Sequence, residues 1–234
     1  MHDVHRADPQ PVEMIRGSMG KPLSPGEIGI LLAFAGVGKT ACLTHIALEN
    51  LIHGFPVLHV CIDETPEKIK IWYQELLRNI LGPGHHRDVP RIQQQIEPLR
   101  FIHAYLHHTF SPGKLDQSVR NLRDQANFQP AMVVLDGLDF DRISRTSVEE
   151  LKELAGKHGV SMWMSARMHR HMSTTNARGI PYPCHEMDGL FEAILLLEPV
   201  PDVIQVKVLK HEGQYLPQRP AVLLNPQTYL LQRR

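Results

Sequence analysis

The sequence predicts an α/β protein: a mostly parallel central sheet with helices on both faces and an antiparallel C-terminal extension at one edge. Three observations carry this. Apolar strand-like runs alternate with helical patterns from Ile28 to Met164, and parallel strands need a long crossover, usually a helix, between them. A glycine-rich stretch, Ala33-Phe34-Ala35-Gly36-Val37-Gly38-Lys39-Thr40, joins the first apolar run to the first helical pattern. The closing apolar runs, Phe191 to Leu197, Val203 to Leu209 and Ala221 to Leu224, follow one another without a helical pattern between them, which favours antiparallel pairing.

The elements follow in order. The turn Lys21 to Glu27 feeds a strand at Ile28 to Leu32, and Ala41 to Leu51 is helical until Gly54 breaks it. Pro56 to Ile62 is a buried strand. Thr65-Pro66-Glu67 opens a helix with Thr65 as N-cap and Pro66 at its first position; Ile69, Trp72, Tyr73, Leu76 and Ile80 recur on one face. The following loop carries His85-His86, read as solvated rather than as a metal site. Leu99 to Leu106 is strand-like, with His103, His107 and His108 at its end. Leu115, Val119, Leu122 and Ala126 mark an amphipathic helix, stopped by Pro130, before the apolar strand Ala131 to Asp136. Ser147-Val148-Glu149-Glu150 reads as a capping box for a helix ending near Gly159, and Val160 to Met164 as another strand. Residues 166–189 show no periodicity, and a loop of that length is expected to be functional or disordered. Thr228 to Leu231 reads as one more strand.

A chain of 234 residues with 42% hydrophobic and 21% charged residues suits a soluble protein. Residues 1–20 read as a polar N-terminal arm and 21–234 as one domain, without internal repeats. A formal charge of zero and a pI near 7.3 exclude a global basic field. Cys42, Cys61 and Cys184 form no CxxC pair; two read as core thiols, and a reducing, cytoplasmic setting is expected. The start carries no apolar secretory region, and no uncharged apolar run approaches ~20 residues, so no membrane span is expected.

The chemistry concentrates around the glycine loop. Strand, glycine loop and helix in succession is the setting of a phosphate-binding loop, GxxxxGK[ST], with Ala33 standing where the first Gly belongs. Backbone N–H groups wrap a phosphate and the helix start adds its positive dipole end. The nucleotide-binding candidates are Ala35, Gly36, Val37, Gly38, Lys39, Thr40 and Ala41. Lys39 reaches the terminal phosphates, and Thr40 holds Mg²⁺ through its hydroxyl. Asp136, ending an apolar strand after the loop, is the second Mg²⁺ candidate; the alternative is a strand-end Asp capping the next turn. Asp63-Glu64 ends the second strand, and a carboxylate there can act as general base on a water, or merely cap the helix at Pro66.

These motifs together resemble RecA-like P-loop ATPases of the KaiC and DnaB type. Pro25-Gly26-Glu27, the strand, and Gly36-Val37-Gly38-Lys39-Thr40 are similar to that family's first strand and loop. Val57 to Pro66 is similar to its second strand, which ends in a catalytic Glu. The resemblance implies a RecA-like fold over residues 20 to 215, gives Glu64 rather than Asp63 the role of activating water, and makes Asp136 the Walker B carboxylate. Val208-Leu209-Lys210-His211-Glu212-Gly213 resembles the late strand that offers a Lys and an Arg to a neighbouring subunit's ATP. Lys210 matches the Lys, which implies a homo-oligomer, with a hexamer one arrangement. Two positions depart: Glu212 replaces the trans-acting Arg, and Ala166 the polar sensor after Walker B, with Arg167 adjacent. Loss of an arginine finger costs ~10³–10⁵ in rate.

The resulting expectation is an ATP-binding protein with slow Mg²⁺-dependent hydrolysis, driving a switch or assembly. Two alternatives stand beside it. One is a regulatory module with little hydrolysis; the other is a small-molecule kinase with Arg167, Arg170 and Arg178 as a lid. No NKxD-like motif supports a GTPase. Loops 137–147 and 166–189, with Arg142, Arg145, Arg167, Arg170 and Arg178, offer a local positive cluster to DNA or RNA, but solvated loop charge is the favoured reading.

Overall fold

The computed structural model describes residues 21–82, 84, 87–217 and 220–233; the 1–20 arm and the His85-His86 pair lie outside them. Six strands run parallel: β1 (Ile28–Phe34), β2 (Val57–Ile62), β3 (Arg100–Tyr105), β4 (Met132–Asp136), β5 (Ser161–Met168) and β6 (Ala193–Val200). Four more extend the β6 edge antiparallel: β7 (Val203–His211), β8 (Gln214–Tyr215), β9 (Pro220–Leu224) and β10 (Leu231–Arg233). The sheet order is β10-β9-β7-β6-β1-β5-β4-β2-β3, with β8 paired to β7. The crossovers carry α1 (Lys39–Ile52), α2 (Pro66–Leu81), α3 (Val89–Ile96), α4 (Pro112–Ala126) and α5 (Arg145–His158).

Successive strand residues point to opposite faces, and each face has its own core. Leu31, Ala33, Val57, Cys61, Val134 and Trp163 meet Leu43 and Ile46 of α1 and Ile69, Tyr73 and Leu76 of α2. Ile30, Leu32, Leu58, Val133 and Met164 meet Leu115 and Val119 of α4 and Val148 and Leu151 of α5. Burial on both faces explains why these strands read as continuous apolar runs. No helix among the described residues is long and apolar enough to cross a membrane. All three cysteines are buried and free of disulfides.

Two expectations need correction, and two segments show more than their sequence announced. The helix read from Ser147 begins at Arg145, because Ser144 is the N-cap: its Oγ accepts the Ser147 N–H at 3.1 Å. The amphipathic α3 was not anticipated, although Val89, Ile92 and Ile96 lie on one helical face. The strand expected at Thr228 to Leu231 is instead a turn, closed by Asn225 N–H to Leu230 O at 2.9 Å, and β10 starts only at Leu231. The long 166–189 segment, which has no periodicity, is packed against the core. Ile180, Cys184 and Met187 plug the second core, while Tyr182 OH and His169 Nε2 both donate to the Asp141 carboxylate, at 2.8 and 2.6 Å.

Two fully buried histidines give the fold a pH signature. His45 donates Nε2–H to Tyr229 O at 2.5 Å, and its Nδ1 has no hydrogen-bond partner among the described residues. Burial pushes its pKa from 6.5 down to about 4, only partly offset by the Tyr229 bond. His59, bonded through Nδ1 to Tyr73 OH at 3.0 Å, is likewise lowered by burial to about 4. The unfolded chain therefore takes up these protons first as pH falls. The stability is fully present above about pH 6.5 and is lost as pH drops towards 4, by about 2 kcal/mol per histidine at pH 5. The urea midpoint is expected to fall between pH 7.5 and 5; a flat profile across that window would contradict the neutral, buried assignment.

Candidate functional site

The parallel strands deliver their C-terminal ends to one edge of the sheet, and the glycine loop, Asp136 and Asp63-Glu64 all lie there. β1 leads into a turn over Ala35 and Gly36, both exposed; Val37 anchors in the core, and Gly38 is the N-cap of α1. Gly36 and Gly38 have φ of +76° and +98°, which side chains resist. No side chain caps the first turn of α1. Its leading N–H groups lack intrahelical acceptors, so they suit an anion.

Thr40 Oγ1 donates to Asp136 Oδ2 at 2.6 Å, across 96 positions of sequence. The other carboxylate oxygen, Oδ1, accepts from Ser165 Oγ at 2.5 Å, and Ser165 Oγ accepts the Gly137 N–H at 3.1 Å. Asp136 is only 8% exposed. A hydroxyl and a carboxylate brought together are the hard oxygen donors a Mg²⁺ ion takes jointly with phosphate oxygens and water, so the residues present fit that ion. Among the described residues no group of three or more His, Cys, Asp or Glu converges to hold a metal without such help.

The Lys39 ammonium folds back over the loop, donating to Phe34 O at 3.2 Å and Ala33 O at 3.4 Å. Burial lowers its pKa; Asp136 opposes the shift, and Arg167 adds to it. Asp63 adopts a left-handed φ of 55° and serves the backbone: its Oδ1 accepts the His107 N–H at 2.6 Å, pinning β2 to the end of β3. Glu64 is aimed at its own helix, where it pairs with Lys68 and accepts the Thr65 N–H at 3.1 Å. Burial would raise its pKa, but the Lys68 and Thr65 bonds outweigh it and leave it lowered. An exposed i,i+4 pair is worth only about 0.3–0.5 kcal/mol, so Glu64 can leave Lys68 at little cost.

Lys210 is placed differently from the trans-acting expectation. It is 5% exposed, and its ammonium is spent on Phe191 O at 2.7 Å and Asp188 O at 3.0 Å. Both carbonyls belong to the turn before β6, so Lys210 ties that turn to the sheet of its own chain; acting on a neighbour would require leaving them. Glu212 pairs instead with Lys21 at 3.6 Å. Three of the loop arginines are also engaged internally: Arg142 with Asp139, Arg145 with Glu149, and Arg178 with Asp188 and Tyr215 OH.

Two parts of the site were missed in the sequence. Ser165 was visible as a lone hydroxyl in an apolar strand. The other part is a wall from the C-terminal segment: a Cβ added to Gly38 would lie 3.3 Å from Leu224 Cδ2 and 3.6 Å from the Tyr229 ring. Tyr229 also meets Trp72 edge-on at 4.9 Å, and Asn79 Nδ2 donates to Thr228 O at 2.8 Å, which fixes the wall to α2. A cavity of about 240 Å³ lined by Leu23, His53, Phe55, Met132 and Trp163 sits at the other sheet edge and shares no group with this site. No protein-family model matches the chain, and no curated protein matches it in sequence.

Proposed function

We propose that the chain is a RecA-like P-loop protein that binds ATP with Mg²⁺ at residues 35–41 and hydrolyses it slowly to ADP and phosphate. The observation that carries this reading is the Thr40–Asp136 hydrogen bond, which joins the loop's hydroxyl to a distant strand-end carboxylate at 2.6 Å. The strand order supports it too: β5 separates β1 from β4, yet both functional ends meet. In this reading the loop N–H groups bind phosphate oxygens, and Lys39 exchanges the Ala33 and Phe34 carbonyls for the terminal phosphates. Thr40 and Asp136 hold the Mg²⁺, which neutralises phosphate charge when bound. Glu64 leaves Lys68 and accepts the proton of the attacking water.

The departures at Ala166 and Glu212 favour a second reading, an ATP-binding regulatory module with little turnover. ADP release by the purified protein separates the two. Glu64→Gln is expected to keep ATP binding and lower turnover by ~10²-fold or more, with Asp63→Asn doing much less. Turnover unaffected by Glu64→Gln would remove that residue from the mechanism. A kinase lid would require Arg178 to leave Asp188, and a nucleic-acid surface would require Arg142 and Arg145 to leave Asp139 and Glu149, exposed pairs that cost little to break. A homo-oligomer that shares its sites through Lys210 would require that lysine to leave Phe191 O and Asp188 O of its own chain.

A further inference from the structure

Ala166, near the end of β5, is apolar and fully buried. Arg167 sits one residue beyond. In the β1–β5 register it is level with Ala33, the residue whose carbonyl holds the Lys39 ammonium. Side chains two apart on a strand share a face, so Arg167 rises on the same face as Ser165, which holds Asp136. It therefore stands at the top of β5, between the glycine loop on β1 and the carboxylate on β4.

Arg167 is exposed and has no hydrogen bond or ion pair among the described residues, unlike Arg142, Arg145 and Arg178 nearby. Its charge is felt, as a minor contribution, by Lys39 on one side and Asp141 on the other. Both Asp141 oxygens are already taken, by His169 and Tyr182. A guanidinium without a hydrogen-bonded partner beside the Lys39 end of the site is available to an anion placed there, and its planar fork suits a phosphate's oxygens.

We propose that Arg167 binds the γ-phosphate of the nucleotide in its own chain, so that one subunit alone distinguishes ATP from ADP. This rests on the phosphate-loop reading. Lys39, Thr40 and the loop amides hold the phosphates common to both nucleotides. Arg167 adds a contact that only the triphosphate can make.

The test is titration of a non-hydrolysable ATP analogue and of ADP, both with Mg²⁺, into wild type, Arg167→Ala, Arg167→Lys and Arg123→Ala. Arg123 is exposed on α4, paired with Asp124, and serves as control. Arg167→Ala is expected to weaken the ATP analogue by ~10-fold or more and to leave ADP within about twofold. Arg167→Lys should restore part of the loss, and Arg123→Ala should match wild type. Equal losses for both nucleotides, or an unchanged preference for the triphosphate, would overturn the role of Arg167 while leaving the loop reading intact. Wild type binding neither nucleotide would overturn both. Arg167 is exposed, so loss of fold is not the expected cost; circular dichroism on each variant checks this, and Arg167→Gln should reproduce the loss for the ATP analogue with a neutral polar side chain longer than alanine.

Discussion

Lys39→Ala is expected to lower ATP affinity by at least ~100-fold. The ammonium is the one cation of the glycine loop, and each charge-assisted hydrogen bond it makes to phosphate is worth about 1.5–3 kcal/mol. Two such bonds, to adjacent phosphates, account for a loss of that size. The variant should still fold, because the bonds it gives up, to Phe34 O and Ala33 O at 3.2 and 3.4 Å, are long. ADP affinity should fall as well, which separates this variant from Arg167→Ala. Calorimetric titration reads the effect directly. An unchanged affinity for ATP would remove residues 35–41 from nucleotide binding altogether.

The largest stability effect is expected at Gly137, immediately after Asp136. Its φ is +91°, and an added Cβ would lie 2.6 Å from Ile62 O, a backbone atom that cannot rotate away. The left-handed conformation costs a non-glycine residue about 1–2 kcal/mol, and forced displacement of packed backbone adds about 1–3 kcal/mol. Gly137→Ala should therefore destabilise the protein by about 3 kcal/mol, or roughly 6–12 °C in melting temperature for a chain of this size. The same shift would disturb the Gly137 N–H bond to Ser165 Oγ and hence the support of Asp136. A melting temperature within about 2 °C of wild type would mean that β2 and β4 separate more easily than their packing implies.

Much of this architecture was legible because its signals are local. The apolar runs at β1, β2, β4 and β5 are buried on both faces, so each announces itself without reference to a partner. Thr65-Pro66 was readable for the same reason: the Thr65 hydroxyl accepts from Lys68 N–H within one turn. What stayed hidden depends on distance in sequence. Whether Ser165 meets Asp136 or solvent is decided by the β4–β5 register. The packing of 166–189 has no period because irregular backbone buries single residues such as Ile180 and Cys184. Lys210 showed the right residue in the right strand, but its burial under Phe191 O and Asp188 O follows from the folded turn and leaves no mark in spacing.

The wall formed by Leu224 and Tyr229 also imposes an order in time. His45 and the Tyr229 carbonyl that it holds are 184 positions apart. At synthesis rates of about 5–20 residues per second, the glycine loop and α1 leave the ribosome roughly 10–40 s before the segment that flanks them. During that interval the nascent chain carries Gly38 without its apolar cover and His45 without its acceptor. The loop that begins the sheet is thus made early and finished late, and its flank closes only when translation has passed β9.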